Sequence, residues 1–473
     1  MKHEQQILND SGVGNTPDLK MEKREQTLAG RIVERAREIY PEMLKDYIAI
    51  HENPELGGEE FETAARVKLH LESLGIEILG EGIGGTGIVA KIKGKESGSI
   101  VALRADMDAL PMEENPVNEP RSKKNGMMHG CGHDLHTAGL MGAARILKEL
   151  ADEGALKGEV VLLFQPSEEK AHQKKPGSVP MIAFLERNGL RDDIRAFFGL
   201  HVFGMAEKGT ILTREGVFMA SSGEMDIELH GPGGHIMNSY ESPDLNRVFS
   251  QITLELQERF RPLFEKNEAV INTRGPEYSS GGYNVMPASG KSTWVIRIAS
   301  PDFKKMSQSV ASEIRQVTDE VISRHLEELE RMDPTGSAVN KEITVEFKRR
   351  DGYRPVVHHD AELVGLAVRS AREVMGDNAK QDDALIMGGE DFSFYLEELQ
   401  SKRIPGVYMG IGGASPDSGY PKVDHHSPNF RIDPEALKDL AEAYSILALN
   451  GINHYNSSSS MRPEGGSTGE AVI

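Results

Sequence analysis

Four short apolar runs separated by amphipathic stretches organise the first half of the chain: TGIVAKI (86–92), SIVALR (99–104), EVVLLF (159–164) and RAFFGL (195–200). Runs such as Val160 to Phe164 are apolar on both faces, which a strand requires only when helices cover both sides of its sheet. Residues 58–74 carry Ala64, Val67, Leu71 and Leu74 at helical spacing and stop at Gly75. Residues 134–150 place Leu140, Ala143, Ala144 and Leu147 on one stripe. Helices alternating with such strands predict an α/β architecture with a mostly parallel sheet sandwiched by helices.

Near Ser221 the texture changes. MDIELHG (225–231) alternates, a helix is expected over roughly 243–260, WVIRIA (294–299) alternates again, a long helix follows at about 302–331, and EITVEF (342–347) closes the stretch. Strand–helix–strand–strand–helix–strand is the order of a ferredoxin-like α+β unit. After Pro355 the α/β texture returns, with a helix at 360–375 and the strand PGVYMGI (405–411). The expected organisation is a disordered segment 1–28, a first catalytic piece 29–219, an inserted domain 220–354, a second catalytic piece 355–455 and a disordered tail 456–473.

The polar residues at the strand ends carry the chemistry. SIVALR runs into Asp106 and Asp108, EVVLLF into Glu168 and Glu169, and RAFFGL into His201. In a parallel sheet these points share the carboxyl edge, where open α/β folds bind ligands. MHGCGHDLH (128–136) adds Cys131, His133, Asp134 and His136, and VDHHSPNF (423–430) adds His425 and His426. A glutamate pair after a strand is usually a solvated loop, and one histidine is usually a satisfied core residue. Their convergence argues otherwise, because adjacent buried carboxylates need a cation between or beside them. Thiolate, imidazole and carboxylate together suit zinc, manganese or cobalt, and five donors exceed the three of a single open catalytic ion.

Of the 473 residues, 74 are acidic and 54 basic, giving a net charge of −20. That field disfavours nucleic acid and anionic membrane surfaces as partners. No run approaches the ~20 apolar residues of a membrane span. The single cysteine, Cys131, and an N-terminus without an apolar leader point to a reducing, cytoplasmic setting. Gly82-x-Gly84-x-x-Gly87 leads into a strand rather than a helix, so it reads as a turn and not a dinucleotide site. HENPE (51–55) lacks the second histidine of a single-zinc protease helix, and no G-x-S-x-G elbow occurs.

With these residues in view the chain resembles the two-metal aminoacylase and carboxypeptidase family, in the amidohydrolase branch of hippurate hydrolases, auxin-conjugate hydrolases and N-acyl-amino-acid hydrolases. The matching segments run in family order: IHENPELGGEE (50–60), RADMDALPM (104–112), MHGCGHDLHT (128–137), LFQPSEE (163–169), FGLHV (198–202), GPGGH (231–235), YNVMP (283–287), GGEDFSFY (388–395) and HHSPNF (425–430). The resemblance implies metal ligands at Cys131, His133, Glu169, His201 and His426, with Cys131 touching or bridging two divalent ions (zinc or manganese, cobalt as a third option). It implies Glu168 as general base, His235 and Asn284 as residues of the inserted domain that reach the substrate, and Asp106, Asp108, Asp134 and His136 as orienters behind the ligands. It also implies that the inserted domain serves as lid and homodimer surface, with His235 acting across the dimer.

The activity so implied is hydrolysis of the amide bond of small N-acyl amino acids. A carboxypeptidase or dipeptidase with the same site is the alternative, and a non-catalytic metal-binding protein the remote one. Three stretches depart from the branch pattern and are expected to border the substrate: GGHIMNSYESPD, the basic segment from Lys170 to Lys175, and the pair His358-His359.

Overall fold

The computed structural model describes residues 27–460 apart from 170–175, 240–241, 280–281, 333–340, 377 and 397–403. The basic segment from Lys170 to Lys175 therefore lies outside the described residues, as do 1–26 and 461–473. In chain order the elements are α1 (Leu28–Glu52), α2 (Phe61–Ser73), β1 (Glu77–Ile83), β2 (Gly87–Lys93), β3 (Glu96–Asp106), α3 (His133–Glu153), β4 (Lys157–Gln165), α4 (Ser178–Arg187), β5 (Ile194–Glu207), β6 (Thr210–Leu212) and β7 (Gly216–Met219). Then come β8 (Ser221–His230), β9 (Gly234–His235), α5 (Leu245–Glu265), β10 (Ala269–Tyr278), β11 (Val285–Met286), β12 (Ser289–Ile298), α6 (Phe303–Met332) and β13 (Thr344–Asp351). The last are β14 (Val356–His358), α7 (Ala361–Met375), β15 (Lys380–Asp382), β16 (Gly406–Ala414) and α8 (Ala436–Ser460).

An eight-stranded sheet in the order β1-β2-β4-β3-β5-β16-β6-β15 forms the body. Its centre is parallel, since β3 pairs in parallel with β4 and β5, and β5 with β16. The edge pair β1–β2 is antiparallel, joined by the turn that Gly82 and Gly84 make with positive φ. On one face α1, α3, α7 and α8 pack a single core that runs from Met43 through Leu140 and Leu147 to Leu440 and Tyr444. The other face is covered more thinly, by α4 and the turn that carries Phe392 and Tyr395. Both sides of β4 are thus dry, which explains its unbroken apolar run.

Between β7 and β14 the chain builds a second, four-stranded antiparallel sheet in the order β10-β12-β8-β13. α5 presents Leu245, Val248, Phe249, Ile252 and Leu256, and α6 presents Val310, Ile314, Val317 and Val321, to one face of it around Trp294. This spacing of three and four residues puts one stripe of each helix on the sheet. Among the described residues no helix covers the opposite face, where Val295 remains 38% exposed.

The order of the elements located from sequence is the one observed, and two further features differ from that reading. The strand at 269–278 is not legible in the sequence, because AVINTRGPEY mixes a proline and a glycine into its alternation. Residues 456–460, read as tail, continue α8. Asn456 is held there because its side chain accepts from Ser99 N at 2.7 Å and donates to Lys157 O at 2.8 Å, satisfying backbone at the start of β3 and β4.

Candidate active site

Because β3, β4 and β5 are parallel neighbours, their polar residues emerge side by side. The chain after β3 brings Asp108, the turn after β4 brings Glu168 and Glu169, and β5 itself carries His201. α3 begins at His133, so its first turn delivers His133, Asp134 and His136 to the same edge, with Cys131 just before it. His426, in a loop before α8, adopts a positive φ of 59° and its N–H donates to Gly130 O, which ties the two loops together.

The hydrogen bonds decide which nitrogens are free. His133 Nδ1 lies 2.9 Å from the Asp108 carbonyl, and a carbonyl only accepts, so Nδ1 carries a proton and Nε2, 3.7 Å from Asp106 Oδ2, is the nitrogen turned to the site. That Nε2 is buried with no hydrogen-bond partner among the described residues. His201 is set the same way: Nδ1 donates to Val202 O at 2.7 Å, and Nε2 faces Cys131 Sγ at 3.5 Å. His426 Nε2 stands 2.9 Å from Glu169 Oε1. Donor atoms of Cys131, Glu169 and His426 lie within 4.8 Å of one another, as do those of His133, Glu168 and Glu169. Glu169 belongs to both groups. A buried imidazole nitrogen left without a hydrogen bond costs about 1–3 kcal/mol, so these residues fit divalent cations.

Other clusters of acids and histidines are internally satisfied. His136 donates through Nδ1 to Asp106 Oδ1 at 2.6 Å and accepts from Val202 N through Nε2 at 2.9 Å, so neither nitrogen is spare. His51 bridges Asp134 Oδ2 at 2.6 Å and Glu114 Oε1 at 3.2 Å. Glu390 and Asp391 share the fully buried Arg104, which also binds Asp106, so each finds its partner within the protein. His425 Nε2 donates to Val202 O at 2.9 Å.

The two glutamates diverge because their backbone is pinned. Asp108 accepts from Glu168 N at 3.0 Å and from Glu169 N at 2.9 Å, one carboxylate oxygen each. Glu60, from the PELGGEE stretch, accepts from Ser167 N at 2.9 Å, and Ser167 sits at φ 55°. Gly57 lies so close to this turn that a Cβ there would come 2.9 Å from Ser167 Cα.

Burial, then the charges of Glu390 and Glu169, push the Glu168 carboxyl well above the usual range, the direction a general base needs. For Glu169 burial also raises, but His426 and His133 outweigh it and hold the carboxyl low. Burial and the carboxylates of Glu169, Glu168 and Asp106 push the Cys131 thiol up, so a thiolate there requires an added cation.

Cys131, Glu168, Glu169, His201 and His426 line a cleft of about 630 Å³ with Leu110, Pro111, Phe203, Met219, Ile386 and Met387. Two further polar residues in its wall escaped the sequence reading. Arg297 comes from β12 on the uncovered face of the second sheet, and its Nη1 is buried with no partner among the described residues. Tyr353 follows β13 and donates its hydroxyl to the Glu168 carbonyl. The one signal for Arg297 was a cation within the alternating run WVIRIA; Tyr353 had none. His235 and Asn284 are not brought to this cleft by their own chain. They sit on the β9–β11 ribbon, where His235 pairs with Val285 and is exposed.

The expectation that His358 borders the substrate is corrected. It is 1% exposed, stacks on Phe218, donates to Arg214 O at 2.7 Å and accepts from Tyr408 N at 3.0 Å, so it is a core residue. His359 lies beside Asp302, Lys304 and Arg354, away from the cleft.

Fold and cleft together define a hydrolase of the metal-dependent α/β type with a second sheet inserted. Residues 102–450 match the model of peptidase family M20/M25/M40, and the chain belongs to that family. It is 31% identical over 410 residues to a putative amidohydrolase, YhaA, of Bacillus subtilis, covering 87% of this chain and 94% of that one. It is 32% identical over 403 residues to an N-acetylcysteine deacetylase of the same organism, covering 85% and 94%. Among solved structures it resembles the YXEP protein of Bacillus subtilis, described as a dinuclear metal binding peptidase from the M20 family. The TM-score is 0.68 at 28% identity, with 88% and 99% of the two chains covered. The chain is a metal-dependent hydrolase of amide bonds, and among its described residues no helix is long and apolar enough to cross a membrane.

Proposed function

We propose that the protein removes the acyl group from small N-acyl amino acids, using two divalent ions, zinc or manganese, held by Cys131, His133, Glu169, His201 and His426. The observation that carries this is the cluster of donors at one sheet edge, above all the buried His133 Nε2 without a hydrogen bond and the Glu169 carboxylate common to two donor groups. When bound, such ions supply Lewis acidity to an attacking water and to the scissile carbonyl. Glu168 accepts a proton from the water and returns it to the amine nitrogen as the amide breaks, a contribution of ~10²–10⁴-fold.

Arg297 faces this site with an unpaired guanidinium nitrogen, which suits the free carboxylate of an amino-acid product half. The apolar wall of Phe203, Met219, Ile386 and Met387 suits the acyl half. A carbonyl oxygen that gains charge at the transition state needs a donor besides the ions. His235 supplies it from the partner of a homodimer, since its own chain leaves it exposed on the β9–β11 ribbon. A carboxypeptidase or dipeptidase is the second reading, favoured by the same carboxylate anchor.

The test separates the neighbours Glu168 and Glu169. Wild-type protein purified without chelator should carry about two equivalents of metal and hydrolyse a panel of acetyl-, hexanoyl- and benzoyl-amino acids faster than dipeptides. Glu169→Ala should lose at least one ion. Glu168→Gln should keep both and lose ~10²-fold or more in turnover. An active Glu168→Gln ends the base assignment; one that loses its ions exchanges the two roles.

A further inference from the structure

Two strands join the inserted sheet to the body, one from β7 into β8 through Ala220, the other from β13 into β14 through Gly352 to Pro355. They cross side by side and are knitted into one ribbon. Ser222 N donates to Tyr353 O at 2.8 Å, Tyr353 N to Ser222 Oγ at 2.8 Å, and Gly352 N to Ser222 O at 2.9 Å. Any rotation of the inserted sheet against the body must pass through this ribbon, since covalent continuity exists nowhere else between them.

The ribbon touches Glu168 by two routes. Through the first, Tyr353, 7% exposed, donates its hydroxyl to the Glu168 carbonyl. Through the second, Ser222 and the Tyr353 ring abut Gly389, where a Cβ would come 2.9 Å from Ser222 Cβ and 3.3 Å from the ring. Two residues on, Asp391 N points at Glu168 Oε1 at 3.3 Å. One route therefore bears on the main chain of Glu168 and the other on its carboxylate. A site whose reacting groups tolerate displacements of well under ~1 Å before rate suffers is sensitive to such contacts.

We infer that Tyr353 is a positioning residue that registers the inserted sheet against the general base, so that Glu168 reaches its working position only when the crossing ribbon is in place. The inference rests on the assignment of Glu168 as base. It assigns Tyr353 no contact with substrate or ion: removing its hydroxyl leaves the donors of Cys131, His133, His201 and His426 untouched.

Tyr353→Phe keeps the ring and deletes the hydroxyl. In the metal-loaded enzyme it should leave metal content and melting temperature unchanged and KM within about threefold, while kcat falls about tenfold. In the Glu168→Gln background the same change should cost less than about twofold, because its effect passes through Glu168. Gly389→Ala, which presses a methyl onto the ribbon, should likewise lower kcat at constant metal content. Wild-type kcat in Tyr353→Phe, an equal loss in both backgrounds, or a loss of metal would each overturn the inference. A fully active Glu168→Gln is a different failure: it removes the base assignment itself, whatever Tyr353→Phe does.

Discussion

Arg297 is a guanidinium on an apolar-flanked strand, facing carboxylates without binding them. Burial depresses its basicity, and Glu224, Tyr353 and Glu168 act on it only through space. A cation in that position is costly unless something anionic arrives to pair with it. Arg297→Met keeps an unbranched, shorter stem and removes the charge. It should cut kcat/KM on N-acyl amino acids about 10²-fold while leaving the corresponding C-terminal amides nearly unaffected. Comparing the two substrate forms checks this: an unchanged acid-to-amide ratio would place the carboxylate elsewhere. Sequence reading reached Glu168 and Glu169 but missed Arg297, because strand alternation alone does not say which face of β12 looks into a cleft.

At the scale of the element, α8 carries a load unrelated to catalysis. Glu442, 6% exposed, lies on a helix packed against α1, α3 and α7. Burial, then the nearby Asp439, raises its carboxyl from the ordinary 4.5 to about 8. Asp439 is itself raised to about 6, chiefly by burial. An acid held above its unfolded value favours the protonated fold, so its contribution is complete below pH 4.5 and is lost as pH rises through 8. Glu442→Gln should therefore stabilise the protein at pH 8.5 by on the order of 2 kcal/mol and change little at pH 4.5. Thermal melts at the two pH values measure the difference, and equal melting shifts at both would refute the burial argument. Helices α1 and α8, which together bury much of this core, were not singled out from sequence: α8 is buried on several faces, which blurs its stripe, whereas α1 carries a clear one in Ile32, Ala36, Ile39, Met43 and Tyr47.

The whole molecule leaves an apolar surface around His235. Tyr283 is 99% exposed, Met237 78%, Val285 45% and Ile236 38%, all on or beside the β9–β11 ribbon. Exposed apolar residues grouped around a polar one mark a contact surface, and a twin chain is the occupant the proposed mechanism requires. If His235 serves the partner's cleft, a His235→Ala chain mixed with a Glu168→Ala chain rebuilds one intact site per hybrid. After subunit exchange at equal amounts, half the dimers are hybrids, and activity should recover to roughly a quarter of wild type. Recovery absent despite demonstrated exchange would confine His235 to its own chain or remove it from the reaction.

Sequence alone determined what depends on local order. Apolar runs on both faces made β3, β4 and β5 interior strands, and their parallel pairing put Asp108, Glu168, Glu169 and His201 at one edge with the first turn of α3. The pool of candidate donors followed from residue types gathered at predictable ends of regular elements, and the choice of ligands among them came from the family resemblance. Tertiary structure decided what depends on long-range placement. It showed which histidine nitrogens are spare, because the tautomers are set by carbonyls such as Asp108 O and Val202 O. It turned His358 from a cleft residue into core, and it brought Arg297 and Tyr353 to the site across more than a hundred residues of chain. No local pattern encodes such a meeting, since a side chain's partners across the fold are set by how two sheets pack and not by its neighbours in sequence.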